Sequence, residues 1–466
     1  MPAGRAAAGP APAVRAANPR PFRPRRYLAA AVIAAFVVVV VIVGTVISQF
    51  VRGVQLETIL FGLPAIAFLI GGTVFAIRGL AEPPGARRRD VVRGGILLGV
   101  GLVLWLLVAE AAFLFTGDAP ILVVCCAASC LPTTAFGLWV VHRIDRFEKE
   151  PWRVVLVAAV WGAIVATTLA LIGEVLWDLL VGSGIPPGSA ANVSTGISAG
   201  FMEEMAKGIA VLLLYLVMRD EFDGLVDGIV YGAVVGLGFN FMESTIYMVG
   251  GYQQLQQTGG PGVLGAGAQW FLRQVVDLFT GHATYTALTG AGIGLARQFP
   301  RLWQKLLIIA AGWLSAIGAH LIFDSWIASI PVTNLLLVLV REIAGGAAFT
   351  AIVLLLLGMG LYAEGNAIEQ HLAAEAASGG GAILPREVRL LRRPLARFSE
   401  RVAALMHFGP RAWLEVSRLR NAQLDLAMEQ WHRERKVIEE PLEAEDLLRR
   451  RVIGLRAEVP PGALAA

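Results

Sequence analysis

The chain has 466 residues, of which 56% are hydrophobic and only 16% charged, with a formal net charge of +4. That leaves too little polar surface to coat a soluble globule, so a polytopic membrane protein is expected and a soluble enzyme is excluded. The small positive excess reports on membrane orientation, and no nucleic acid partner is expected.

Residues 1–27 are rich in Pro, Ala and Arg, lack acidic residues, and read as a disordered basic tail. Arg20, Arg23, Arg25 and Arg26 precede the first apolar run, 28–50, and predict a cytoplasmic N-terminus. That run is too long for a signal-peptide core and has no clear cleavage site, so it reads as an uncleaved span. Further segments of spanning length follow at 57–77, 94–116, 120–142, 154–181, 193–218, 224–249, 275–296, 305–329 and 335–362, about ten helices in all. Cys125, Cys126 and Cys130 share one apolar stretch without a histidine and read as packing residues. Arginine-bearing connections alternate with poorly charged ones, including Gly-rich loops at 182–192 and 250–268, which places both termini on the cytoplasmic side. From 364 onward the composition is charged. Leu395, Phe398, Val402 and Leu405, then Val416, Leu419 and Leu426, predict two amphipathic helices around Gly409-Pro410. Their apolar stripes require burial against each other, the membrane surface or a partner.

The costliest residues are Glu203, Glu204 and Lys207, within an otherwise apolar segment. A charge at the bilayer centre costs roughly 2.5–3.5 kcal/mol on insertion scales, so something inside the protein must hold them. At helical spacing Lys207 lies one turn from both carboxylates. Counted from the expected cytoplasmic ends, Glu203, Glu204, His282 and His320 fall about 21–24 Å deep, and Glu243 and Asp324 about one turn further. Agreement in depth across four separate helices predicts one shared polar cavity. His320 and Asp324, four apart, share a helical face. Gly228, Gly232 and Gly236 form a small-residue ridge that turns Glu243 inward. Taken singly, a buried His serves equally as a packing hydrogen bonder, and a Glu–Lys pair as a structural lock. Glu110, Glu174, Asp178, Arg341 and Glu342 lack this convergence and read as packing or pore-lining residues.

No HExxH motif and no Walker loop occurs, and Gly196-Ile-Ser-Ala-Gly200 lies in a continuous apolar segment where a nucleophile elbow cannot form. Glu203-Glu204-Met-Ala-Lys207, Phe239-Asn-Phe-Met-Glu243, the lone His282 and His320-Leu-Ile-Phe-Asp324 occur in the order seen in the PrsW family of intramembrane proteases, which the sequence resembles over roughly 140–360. That family is distantly similar to the CAAX-processing endopeptidases. Arg143-Ile-Asp-Arg-Phe-Glu-Lys-Glu-Pro151 also resembles the loop preceding the family's core.

The expected organisation is therefore a basic tail at 1–27, N-terminal transmembrane helices at 28–142, a protease-like core at 143–363 and a cytoplasmic helical tail at 364–466. The resemblance implies a multi-pass protein of the bacterial plasma membrane that cleaves membrane protein substrates, with anti-sigma factors as the best-known family role. For such chemistry Glu203 or Glu204 is the expected base, with Lys207 setting its charge state. His282 and His320 either donate to the oxyanion or, with Glu243, bind zinc, as the family's description as metallopeptidases implies. A proton-coupled transporter and a non-catalytic membrane scaffold are the competing classes.

Overall fold

The computed structural model describes residues 120–464, apart from 148, 219–221, 223, 331–333 and 435–442, together with short pieces between 65 and 75. The expected N-terminal tail, the spans at 28–50 and 94–116, most of the span at 57–77, and Arg219 lie outside the described residues. Among the described residues every regular element is helical, as the all-α expectation required.

Helix α1 (Pro120–Ile144) leads through a short loop into α2 (Trp152–Val160), a π-helical turn (Trp161–Ala166) and α3 (Thr167–Leu180). Then come α4 (Ser189–Val217), α5 (Leu225–Gln257), α6 (Gly262–Phe271) with a π-helical end (Leu272–Val276), and α7 (His282–Ala296). Helix α8 (Leu302–Ile322) also ends in a π-helical turn (Phe323–Ile327), and α9 (Leu335–Ala377) follows. Among the described residues five helical stretches are long and apolar enough to cross a membrane: 121–144, 152–184, 225–257, 302–327 and 336–377.

Burial separates the centre of the bundle from its rim. The most apolar stretch of α5 is 89% buried, whereas those of α8 and α9 are 17% and 22% buried. A helix that is apolar all round and enclosed belongs to a core; apolar helices left bare face lipid. Helix α5 is enclosed because its glycines let neighbours approach to backbone contact. A Cβ on Gly228 would meet the Gly290 carbonyl carbon at 2.8 Å, and one on Gly232 the Ala287 Cα at 2.9 Å. The ridge read from the sequence is thus the seam between α5 and α7.

Two expected connections differ. The segment 250–268, read as a Gly/Gln-rich loop, is mostly helix: α5 runs on to Gln257 and α6 starts at Gly262. Gly251 and Gly265 lie back to back between those helices, so the glycines that suggested a loop serve close packing. The expected span at 275–296 is interrupted. The chain leaves helical geometry between Asp277 and Gly281, and α7 begins only at His282.

The two helices expected around Gly409-Pro410 are α11 (Pro394–Phe408) and α12 (Pro410–Glu434); among the described residues α10 (Pro385–Arg392) and α13 (Glu443–Glu458) join them, and α9 extends well past residue 362 to meet them. Val416, Leu419 and Leu426 are buried as their spacing predicted, but Leu395, Phe398 and Leu405 face outward. The tail core also encloses Arg420, whose guanidinium donates to both oxygens of Glu400 (2.8 and 2.6 Å) and to Glu387 Oε1 (2.7 Å). These bonds satisfy a charge that would otherwise be costly to bury.

Candidate active site

Four helices deliver the ionisable groups to one place. Helix α4 supplies Glu203, Glu204 and Lys207, all buried. Trp313 of α8 fixes the height of α4 by donating its indole N–H to the Glu204 carbonyl (2.8 Å). Helix α5 supplies Glu243. Helix α7 supplies His282 as its first residue, seated against Gly236, where a Cβ would meet the His282 carbonyl carbon at 2.6 Å. Helix α8 supplies His320, and the following π-helical turn supplies Asp324. Local π-helical geometry inserts a residue into a helix and re-aims its side chains, a device common at functional sites.

Lys207 lies at the centre. Its Nζ is 2.6 Å from Glu204 Oε1, 3.1 Å from Glu203 Oε2 and 3.1 Å from His282 Nδ1, and it sits 4.1 Å from the centroid of the Phe239 ring. Glu204 is saturated: Oε1 also faces His320 Nδ1 (3.1 Å), and Oε2 accepts from the Thr286 hydroxyl (3.1 Å). Glu203 is not. Its Oε2 faces Lys207, His282 Nδ1 (3.6 Å) and His320 Nε2 (3.8 Å), while its Oε1 carries no hydrogen bond among the described residues.

The two rings are held alike. His282 Nε2 is bound by Glu243, and His320 Nε2 lies 3.3 Å from Asp324 Oδ2. Each ring therefore has a carboxylate on its Nε2 side and turns Nδ1 inward, with ring centroids 5.2 Å apart. Tyr285 stacks on His320 at 5.0 Å and fixes its plane. Glu243 is itself clamped by the Arg273 guanidinium, with Nη1 to Oε2 at 2.9 Å and Nη2 to Oε1 at 3.2 Å.

All seven residues expected from the sequence thus meet in one network, buried at its centre and partly exposed at Glu243 and Asp324. Glu203, Glu204, His282 and His320 each offer a ligand atom, all within 4.8 Å of one another. Two imidazoles and two carboxylates are a donor set that suits zinc, and a carboxylate behind each ligating ring is the usual supporting arrangement. Glu243 stands outside that group of four, between His282 and Arg273. Lys207 Nζ holds three of the four by hydrogen bonds, so a metal cation and the ammonium compete for the same acceptors. Beyond Glu203 toward the start of α4, Glu174, Asp178, Ser194, Thr195 and Ser198 line a cavity of about 280 Å³.

Arg273 and Thr286 were missed from the sequence. Arg273 left a signal, a lone cation between Trp270-Phe-Leu and Gln-Val-Val, whereas a threonine in an apolar helix gives none.

Residues 150–359 match the family model described as PrsW family intramembrane metalloprotease. Among curated relatives, "Protease PrsW" of Bacillus subtilis (strain 168) is 33% identical over 106 residues, covering 23% of this chain and 45% of that protein. "Protease PrsW" of Geobacillus kaustophilus (strain HTA426) is 28% identical over 169 residues, covering 35% of this chain and 65% of that protein. The chain thus spans about half to two thirds of the length of these relatives. No solved structure matches at comparable significance.

Proposed function

We propose that this chain, whose residues 150–359 form a PrsW-family region, is an intramembrane endopeptidase that hydrolyses peptide bonds of membrane protein substrates. Single-span proteins such as anti-sigma factors are the proposed substrate class. The observation that carries this reading is the pair of inward Nδ1 atoms set against Glu203 and Glu204, each ring held from behind by its own carboxylate.

Peptide hydrolysis needs a positioned water, a base, donors for the developing oxyanion and a proton for the leaving amine. Glu203 is the residue with an unengaged oxygen, so it takes the water's proton and returns it to the amine. Glu204, with both oxygens bonded to Lys207, His320 and Thr286, anchors the cluster instead. Lys207 balances the two carboxylates and presents N–H donors beside the reacting centre. The cavity lined by Ser194, Thr195 and Ser198 supplies a polar route for water; Ser198 is five residues from Glu203, about 7.5 Å along the helix.

His282 and His320, with Glu204 or Glu203, are the residues that would hold a zinc ion, Glu243 and Asp324 orienting the rings. Such an ion supplies Lewis-acid polarisation of the carbonyl and a more acidic bound water. Co-expression of the full chain with candidate single-span membrane proteins tests the proposal. Cleavage is expected with the natural chain and abolished by Glu203→Gln or His320→Ala at unchanged protein level. Cleavage retained by both variants would sink it.

A further inference from the structure

Helix α11 is built inside out. It buries Arg397 and Glu400, each 5% exposed, and presents Leu395 (84%), Phe398 (57%) and Met406 (76%) outward. Phe398 meets the Trp413 ring of α12 edge-on at 6.2 Å but stays more than half exposed, and an apolar stripe left this bare needs a non-aqueous neighbour. Its position says which. The Arg397 Nη2 donates to the Arg146 carbonyl (2.9 Å), and its guanidinium lies 5.7 Å from the Phe147 ring centroid. Both partners belong to the loop that joins the membrane helices α1 and α2. Trp139 near the end of α1 and Trp152 at the start of α2 are exposed, as aromatic side chains at a bilayer interface are.

Beside this apolar face several cations gather. Burial, together with Arg401 and Arg146, pushes the Arg397 guanidinium down to about 10. Burial, with Arg143, Arg401 and Arg397 around it, also lowers the Lys149 ammonium. Arg143 acts likewise on Arg401. Five cations from two separate parts of the chain therefore converge. Asp145 and Glu400 oppose them, but Glu400 is already bound at both oxygens by Arg420. The Nε atoms of Arg397 and Arg401 are buried without a hydrogen-bond partner. A buried donor left unpaired marks a place where an acceptor belongs.

We propose that α11 lies on the bilayer surface and that the accessible cations Arg143, Arg146, Lys149 and Arg401 bind the phosphate headgroups of anionic phospholipids there, with the buried Arg397 tying α11 to the loop between α1 and α2. The apolar stripe enters the acyl region while the cations meet the headgroup layer, the division of an interfacial helix. This docking fixes the tail to the membrane independently of any peptidase activity.

The test uses the full chain in lipid nanodiscs, either purely phosphatidylcholine or with phosphatidylglycerol added. Hydrogen exchange of the natural protein should show α11 several-fold slower in the anionic discs. Native mass spectrometry should find phosphatidylglycerol retained in preference to phosphatidylcholine, and several-fold less retained by Arg143→Gln/Arg401→Gln. Exchange in α11 that is the same in both discs, or equal retention of the two lipids, would overturn the proposal. So would protection of α11 that follows dimer formation whatever the lipid charge, which would assign the face to a second copy.

Discussion

Lys207 Nζ lies 2.6 Å from Glu204 Oε1, and both side chains are shut off from solvent. With Glu203 one more acceptor away, a single ammonium faces two carboxylates in the middle of the bundle. Removing one member of a buried charge group leaves the others uncompensated, which costs about 3–5 kcal/mol. Lys207→Met should therefore lower the thermal midpoint of the purified protein by several degrees. Lys207→Met/Glu204→Gln should recover most of that loss without recovering cleavage. A double variant no more stable than the single one would show that the pair does not carry the stability.

Gly236 seats His282. A Cβ there meets main-chain atoms of His282 and Ala283, which have no side-chain freedom with which to yield. Gly236→Val should displace the start of α7 and abolish cleavage. Gly250→Ala, on the same helix with open space beside it, should leave cleavage and stability unchanged. Matched cleavage and melting curves for these two variants provide the check.

The Thr286 hydroxyl positions Glu204 without touching the reacting atoms. A hydrogen bond to a charged group is worth about 1.5–3 kcal/mol. Thr286→Val should lower kcat/KM by roughly tenfold or more, through kcat rather than KM. Thr286→Ser, which keeps the hydroxyl, should restore it.

If the four-residue donor set holds zinc, chelation should abolish the proposed cleavage. Purified protein is expected to carry stoichiometric zinc by elemental analysis, to lose cleavage with 1,10-phenanthroline and to regain it on zinc addition. His282→Ala and His320→Ala should each lower the metal content. Full activity in metal-free protein would leave the histidines as hydrogen-bond donors only.

Acid should loosen the tail. Burial alone would raise the Glu387 carboxyl, but hydrogen bonds from Arg456 and Arg420 overcome it and hold the group down at about 2. A carboxyl depressed on folding contributes stability that is complete above its unfolded pKa, near 4.5, and is lost as pH falls toward 2. The contribution is at most about 3 kcal/mol. Hydrogen-exchange protection factors in α12, corrected for the intrinsic pH dependence of amide exchange, should fall between about pH 5 and pH 2, and Glu387→Gln should flatten that dependence. An unchanged pH profile in the variant would assign the acid sensitivity elsewhere.

The parts of this site legible in the sequence were those fixed by helical spacing and by the cost of charge in lipid. Glu203, Glu204 and Lys207 announce one another because they share a face, and so do His320 and Asp324. Depth counting from the expected cytoplasmic ends put His282 level with Glu203, Glu204 and His320, and Glu243 about one turn further, close enough to predict a shared cavity. The break before His282 was not read, although Asp277 and Gly281, residues that favour turns, bracket it. Arg273 and Thr286 act across helices, and no spacing rule links residue 273 to 243 or 286 to 204. The tail reversed the usual inference on α11, because Arg397 and Glu400 are buried by polar bonds while leucine and phenylalanine stay out.

Helix α9 continues unbroken for 43 residues, about 65 Å, from the bundle to the tail. Near its start it packs Gly346 on Thr280 and pairs Thr350 with Thr284, on either side of His282; at its far end Glu375 is gripped by Arg449 of α13. One continuous helix thus joins α13, the last helix among the described residues, to the residues on both flanks of His282. If α9 moves as a rigid rod, a shift of α13 would be felt at Thr280 and Thr284, one on each side of that imidazole.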